Sequence, residues 1–469
     1  MAKPQKIRRE SMKRIAIYSE YFDPPTLHNQ VVVQELQKRF DLVIVIPHGR
    51  RQDFSTMTDS GILHRAAMID LAFSGMERVA GELGNLEQQE YATAYDQEMQ
   101  FESESQAQIF HVVDARDILR QPNGRSKIQN DWLRGDELWE RSHFLIMCDQ
   151  GQKCEESCLP RYAEQLHLPH HLDSESIRSF IYHNDNVSSY LHPAIEQYIR
   201  RHGLYRGTPA LREMQFKIDN PPRFQFYADE KNQESQRIRA LLRKYESPNP
   251  EVIITIGGDG TMLRAIREHW RKRLPIFGLN TGHLGFLLND KNNLDFWQEK
   301  LLLYQLPLLW VETIGLGGRR REGLAFNDTW VERATGQTAW VEVRVDGQVR
   351  LPKVVGDGML ISTAAGSTSY ARAMGAFPMP FNTPVLIMVG SNVLNPPFWR
   401  PAILPLESEV ELTTLDPEKR PLQCYIDGDS QGLVRSVKIR MSRIASVELA
   451  FTHSHHPAHK LAMQQFPAS

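Results

Sequence analysis

The stretch Val252–Ala265, "VIITIGGDGTMLRA", joins a β-branched apolar run to a helical one through Gly257, Gly258, Asp259, Gly260 and Thr261. An unbroken apolar run of this length fits a strand buried on both faces, and a turn straight into a helix is the repeating step of a parallel α/β sheet. Glycines at such a turn let the backbone approach a polyphosphate, and the first helical turn offers it unpaired N–H groups. Asp259 stands at the carboxyl edge of the strand, where open α/β sheets take their ligands. A plain connection needs one or two glycines, so three around one carboxylate argue for a ligand. The P-loop pattern G-x-x-x-x-G-K-[ST] is absent from the chain, and Leu263 occupies the last glycine position of G-x-G-x-x-G.

Working outward, "SQRIRALLRKY" (235–245) reads as a helix before this strand, and an α/β lobe is expected over 224–310. From Val311 the pattern turns to alternating strands, as in "WVEVRVDGQVRL", with Asp346-Gly347 as a hairpin turn. A mostly β lobe is therefore expected over 311–440, followed by a C-terminal segment and tail over 441–469. The tail's "HSHHPAH" reads as a frayed polar end rather than a metal site.

The later segments specify the chemistry. Gly-Gly-Asp-Gly-Thr resembles the phosphate loop of a superfamily holding NAD kinases, diacylglycerol-type lipid kinases and phosphofructokinases. "FGLNTGHLGFL" (277–287), "AFNDTWVER" (325–333), "GDGMLISTAAGSTSY" (356–370), "FWRPAILP" and "YIDGD" follow in order and resemble the motifs of NAD kinases alone. The resemblance spans about 224–447 and implies phosphoryl transfer from ATP, with Mg2+, or from polyphosphate to the 2'-hydroxyl of NAD. Asp259 is the implied base. Gly257, Gly258, Gly260 and Thr261 would cradle the donor phosphates, and Asn327, Asp328, Asp357, Thr368, Ser369 and Tyr370 would hold NAD. Asp328 replaces the usual Glu, Ala364-Ala365 the usual Pro-Thr, and "MGAFP" (374–378) the usual Ala-Gly-Gly-Pro, which bears on contact detail and affinity. A homo-oligomer is implied by the same resemblance.

In the first half, strand-like runs ("RIAIY", "DLVIVIP", "IFHVVD", "HFLIM") alternate with helical ones over 13–207, the rhythm of a parallel sheet with crossover helices, and 208–223 reads as a linker. "RIAIYSEYFDPPTLHN" and "SIRSFIYHNDNVSSYLHPAIEQYIRRHGLY" (176–205) resemble nicotinamide or nicotinate mononucleotide adenylyltransferases, which implies a Rossmann-type nucleotidyltransferase fold. The catalytic letters depart from that family. Its H/T-x-G-H becomes Thr26, Leu27, His28 and Asn29, so an amide stands where an imidazole should stabilise the α-phosphate. Its Ser-Ser-Thr-x-Ile-Arg becomes Asp173 to Arg178, keeping Arg178 but adding two carboxylates, and Glu20 adds a third. The expected vestigial site is Thr26, His28, Asn29 and Arg178, with adenylyl transfer lost and a pyridine mononucleotide as the implied ligand. The alternative is a bifunctional enzyme in which His28 takes over the missing role.

The composition suits a cytoplasmic enzyme: 41% hydrophobic and 24% charged residues, with a formal net charge of -2. So small a charge gives no field for a nucleic acid or an anionic membrane, and no apolar run approaches the roughly 18 residues of a transmembrane helix. Four cysteines are too sparse for a disulfide framework in 469 residues. Cys154, Cys158, His167 and His171 loosely imitate a zinc pattern, but their middle spacing is short and no metal is expected.

Overall fold

A computed structural model of the chain describes residues 13–49, 60–88, 92–150, 158–169, 172–206, 214–282 and 285–465. Cys154 and His171 of the cysteine–histidine pattern lie outside these residues. The chain divides into two compact units, 1–210 and 211–469. Among the described residues, no helix is long and apolar enough to cross a membrane.

The first unit is built on a six-stranded sheet, in spatial order Val79–Gly81, Leu42–Pro47, Arg14–Glu20, Gln108–Asp114, His143–Asp149, Tyr162–Leu168. Every neighbouring pair is parallel. The chain order reverses between Arg14–Glu20 and Gln108–Asp114, and such a switch point opens a crevice at the carboxyl ends of the strands. Tyr18, Val43, Val45, Phe144, Leu145 and Ile146 are fully buried, which explains the near-continuous apolar runs of these strands.

In the second unit Val252–Gly257 is buried along its whole length between two parallel neighbours, Phe224–Ala228 and Ile276–Asn280. Its alternation serves two faces. Val252, Ile254 and Ile256 pack with Ile238 and Leu242 of helix Gln233–Leu242, whereas Ile253 packs with Met262 and Ile266 of helix Asp259–His269. The β-rich part contains the hairpin of Ala339–Val345 and Gln348–Gly356, whose turn residues Asp346 and Gly347 have φ of 52° and 74°, as a type I′ turn requires.

Two long strands cross the expected lobe boundaries. Leu301–Gly315 runs through the break placed at 310/311, and Asp429–Phe451, 23 residues long, runs through the break placed at 440/441. They pair antiparallel with each other, and the end of the second adds a parallel neighbour to Ile276–Asn280 through Leu449 and Ala450. One continuous strand thus serves both the α/β and the β-rich parts. Part of the expected linker is also structural: Met214–Phe216 pairs with Leu301–Leu303. Nor is the tail frayed throughout, since Pro457–Gln465 is a helix.

Candidate active site

The turn of the second unit is open where a ligand would need it. Gly258 is the N-cap of helix Asp259–His269 and, lacking a side chain, leaves the first-turn amides without a side-chain cap. A Cβ on Gly258 or Gly260 would meet nothing within 4 Å, so packing does not demand glycine at either position. Gly257 differs, because its Cβ would lie 2.5 Å from Thr261 Oγ1. Thr261 is itself buried, and its hydroxyl accepts from Arg264 at 3.3 Å. Of the four expected phosphate-cradle residues, Gly258 and Gly260 face open space, while Gly257 and Thr261 pack against each other.

Asp259 is held by the second glycine-rich segment. Its Oδ2 accepts from the Phe286 amide at 3.0 Å and its Oδ1 from the Leu287 amide at 3.1 Å. Burial pushes its pKa above the usual carboxylate range, against the pull of those amides and of Lys460. Each oxygen keeps a lone pair for a further donor.

Asn327 and Asp328 sit at a corner fixed by a residue to which sequence reasoning gave no role. Asp427 accepts from the amides of Phe326, Asn327 and Asp328 at 2.7, 2.8 and 3.1 Å. The Asp427-Gly428 pair, with φ of 45° and 87°, signalled a hairpin but not this cap. Asp328 is 2% exposed and its Oδ2 has no hydrogen-bond partner. Burial, reinforced by the Asp427 carboxylate, pushes its pKa up to about 8. The segment Ala365–Thr368 closes over this corner: a Cβ on Gly366 would lie 2.2 Å from the Asn327 carbonyl. Asn327 Nδ2 points to Ser369 Oγ at 3.5 Å. Tyr370 is 40% exposed, its ring centroid 5.0 Å from that of Trp330, and its hydroxyl pKa is raised by burial and then by Glu332 and Asp328. Thr368 and Phe286 line one small cavity of about 40 Å³.

Asp357 is not brought to this corner. Asp328 pairs with Ser362 and Glu332 with Gly358, which puts Asp357 at the other end of the ladder, roughly 16 Å along the strand from Asp328. There its carboxylate takes Arg333 Nε at 2.7 Å and Asn392 Nδ2 at 2.6 Å. Within one chain Asp357 therefore lies apart from the other residues expected to hold NAD.

The first unit carries a larger cavity, about 760 Å³, whose wall includes Glu20 and Asp114 from the carboxyl ends of the two strands at the switch point. Thr26 and Asn29 line it, whereas His28 and Arg178 are not among its described lining residues. Asn29 is a structural hub. It forms a capping box with Thr26 at the start of helix Leu27–Gln37, and its Nδ2 donates to Tyr18 Oη at 2.7 Å and Glu20 Oε2 at 2.9 Å. Arg178 is buried and donates to the Asp23 carbonyl at 2.6 Å, which makes it a brace for the Phe22-Asp23-Pro24-Pro25 turn. The described wall carries Glu20, Asp114, Asp117, Asp131, Asp173 and Glu175 against Arg116 and Lys127. Those two cations are already engaged, Arg116 with Asp114 at 2.8 Å and Lys127 with Asp117 at 3.2 Å. His48, also in the wall, is pulled down to about 4 by burial and so is uncharged at neutral pH.

Comparison with known proteins bears on the second unit and the end of the first. The family model described as the ATP-NAD kinase N-terminal domain matches residues 183–293. An NAD kinase of Cereibacter sphaeroides is 32% identical over 252 residues, which are 52% of this chain and 99% of that protein. The chain belongs to the NAD kinase family. An NAD kinase of Zymomonas mobilis is 30% identical over 236 residues, covering 50% of this chain and 92% of that one. Among solved structures, yeast NADH kinase complexed with NADH covers 53% of this chain and 88% of its own, at 16% identity and a TM-score of 0.47.

Proposed function

We propose that the second unit of this NAD kinase transfers the terminal phosphoryl group of ATP, or of polyphosphate, to the 2'-hydroxyl of NAD, with Asp259 as the base. The observation that carries this is the Asp259 carboxylate, fixed by two amides at the head of a helix whose first turn is uncapped and flanked by Gly258 and Gly260 facing open space. A loose phosphoryl transition state gains chiefly from positioning and charge stabilisation, and backbone N–H groups at a helix N-terminus supply both. A carboxylate raised by burial is a better base for an alcohol than an ordinary one, and it takes the proton late, as the oxygen–phosphorus bond forms. Mg2+ would enter on the donor phosphates, as it commonly does with ATP. Asn327, Asp328, Thr368, Ser369 and Tyr370 hold the acceptor, the orphaned Asp328 Oδ2 being free to meet one of its polar groups. Asp259→Asn should lower kcat for NADP formation by about 10²- to 10⁴-fold with NAD binding retained, measured by coupled assay and calorimetry. Unchanged turnover would remove Asp259 from the base's role.

For the first unit we infer a Rossmann-type nucleotidyltransferase fold that has lost adenylyl transfer. The strand order and the cavity at the switch point support the fold. Loss of the activity is supported by the wall: its carboxylates outnumber its cations, the cations are paired, and Asn29 is committed to the capping box. A triphosphate would lie among like charges in such a wall. A pyridine mononucleotide carries less negative charge and is the ligand this unit would retain, as sensor or scaffold. Chromatography of products after incubation of the full chain with magnesium-ATP and nicotinamide or nicotinate mononucleotide tests this. No dinucleotide is expected from either, and formation of either would establish the bifunctional alternative.

A further inference from the structure

Lys460, in the helix Pro457–Gln465, lies beyond the segment that carries the kinase motifs, and its side chain is engaged at the catalytic turn. Its Nζ donates to the carbonyls of Gly285, at 3.0 Å, and Leu288, and approaches that of Phe286 at 3.5 Å. The peptide group joining Gly285 to Phe286 thus has its oxygen on the ammonium and its N–H on Asp259 Oδ2. The next peptide group, joining Phe286 to Leu287, repeats the arrangement with Asp259 Oδ1. Two peptide dipoles stand in line between a cation and an anion, each favoured by both charges, and hydrogen bonds arranged in series polarise one another. We propose that Lys460 is a positioning residue of the kinase: its ammonium anchors the turn 285–288, and that turn sets the Asp259 carboxylate. The C-terminal helix is then part of the active site.

Burial is what makes the arrangement sensitive to charge. Lys460 is itself pulled down to about 8 by burial, opposed by the Asp259 carboxylate. A further titratable group that feels its charge is His455, in the turn before its own helix. That imidazole is held below its usual value by burial and then by Lys460, with Asp290 and Glu299 opposing.

The proposal rests on the role given to Asp259 and is tested with the full chain. Lys460→Met should lower kcat about 10²-fold, the usual consequence of a misplaced catalytic group, with KM for NAD changed less than about threefold. The acid limb of its kcat profile should also move to higher pH, because the Asp259 carboxylate loses a stabilising cation. Should Lys460→Met fail to fold by thermal melting, Lys460→Gln, which keeps N–H donors without the charge, gives the same readout. A kcat near that of the parent, or a fall in kcat with the acid limb unmoved, would assign Lys460 to packing only and overturn the proposal. Asp259→Asn run alongside separates the two inferences. Turnover surviving there removes the base and this proposal together, whereas turnover lost there but kept in Lys460→Met removes only the part given to Lys460.

Discussion

The two units each begin a helix directly after a parallel strand, or a few residues beyond it, and they finish that turn in opposite ways. In the second unit Gly258 leaves the helix start without a side-chain cap, with open space over Gly258 and Gly260, and Asp259 is tied to a separate segment. In the first unit Thr26 and Asn29 cap each other, Asn29 reaches back to Tyr18 and Glu20, and the helix start is satisfied from within. A helix N-terminus offers its N–H groups to an anion only while no side chain has taken them. The comparison teaches that one side chain decides how such a turn is finished: Asn29 supplies hydrogen bonds that stabilise a closed turn, and Gly258 has none to supply.

The strongest test of the open turn is Gly258→Val. With φ of -106° and ψ of -177° this residue is extended and needs no glycine for its backbone, and its Cβ would enter open space. The fold should hold, with a melting temperature close to that of the parent, while kcat/KM for the phosphoryl donor falls on the order of 10²-fold because the side chain fills the phosphate's place. Gly257→Ala should do the reverse and destabilise, since its Cβ meets Thr261 at 2.5 Å. If Gly258→Val keeps its full activity, the space over this glycine is not where the donor lies.

The closed turn is tested through Glu20. Burial pushes this carboxyl up to about 7 from an ordinary 4.5, opposed by its bonds to Asn29 and Tyr18. A folded-state pKa above the unfolded value means that the native state holds the proton more tightly. The associated stability is fully present below pH 4.5 and is lost as pH rises through about 7. Glu20→Gln keeps an acceptor for Asn29 and removes the charge. It should leave melting near pH 4 unchanged and stabilise the chain at pH 8 by roughly 1–3 kcal/mol. Equal stability at pH 8 would mean that the carboxylate is solvated and the turn less closed than its contacts indicate.

How much of this was legible depends on what each residue's neighbours add. The run Val252 to Thr261 could be read because apolar continuity and clustered glycines are local signals, and the strand and turn they indicate are present. Arg178 was placed in the vestigial site by resemblance, which gives a residue's place on a helix but not where its long side chain ends; it ends on the Asp23 carbonyl. Asp427 could be read as a turn residue, yet its three amides come from a segment about a hundred residues away. Lys460 directly follows the polar "HSHHPAH" run, and its partners are backbone carbonyls, which leave no mark in a sequence. Asp357 carries the right letters, but strand register decides which end of the ladder it occupies.

The smallest expected effect separates the turns most directly. Thr26→Ala removes the hydroxyl that accepts from the Asn29 amide at 3.2 Å and donates to Asn29 Oδ1 at 3.0 Å, leaving the rest of the box in place. Losing such a cap costs about 1 kcal/mol. For a unit of this size the melting temperature should fall by about 2–4 °C. NADP formation by the second unit should be unchanged, because Gly258 has no corresponding side chain to lose and its turn belongs to another core. If Thr26 were a ligand contact instead of a cap, the variant would melt as the parent does and lose affinity for a pyridine mononucleotide, measured by calorimetry. A drop in melting temperature with mononucleotide affinity intact marks this turn as one that serves the fold, in contrast to the role proposed for the turn of the second unit.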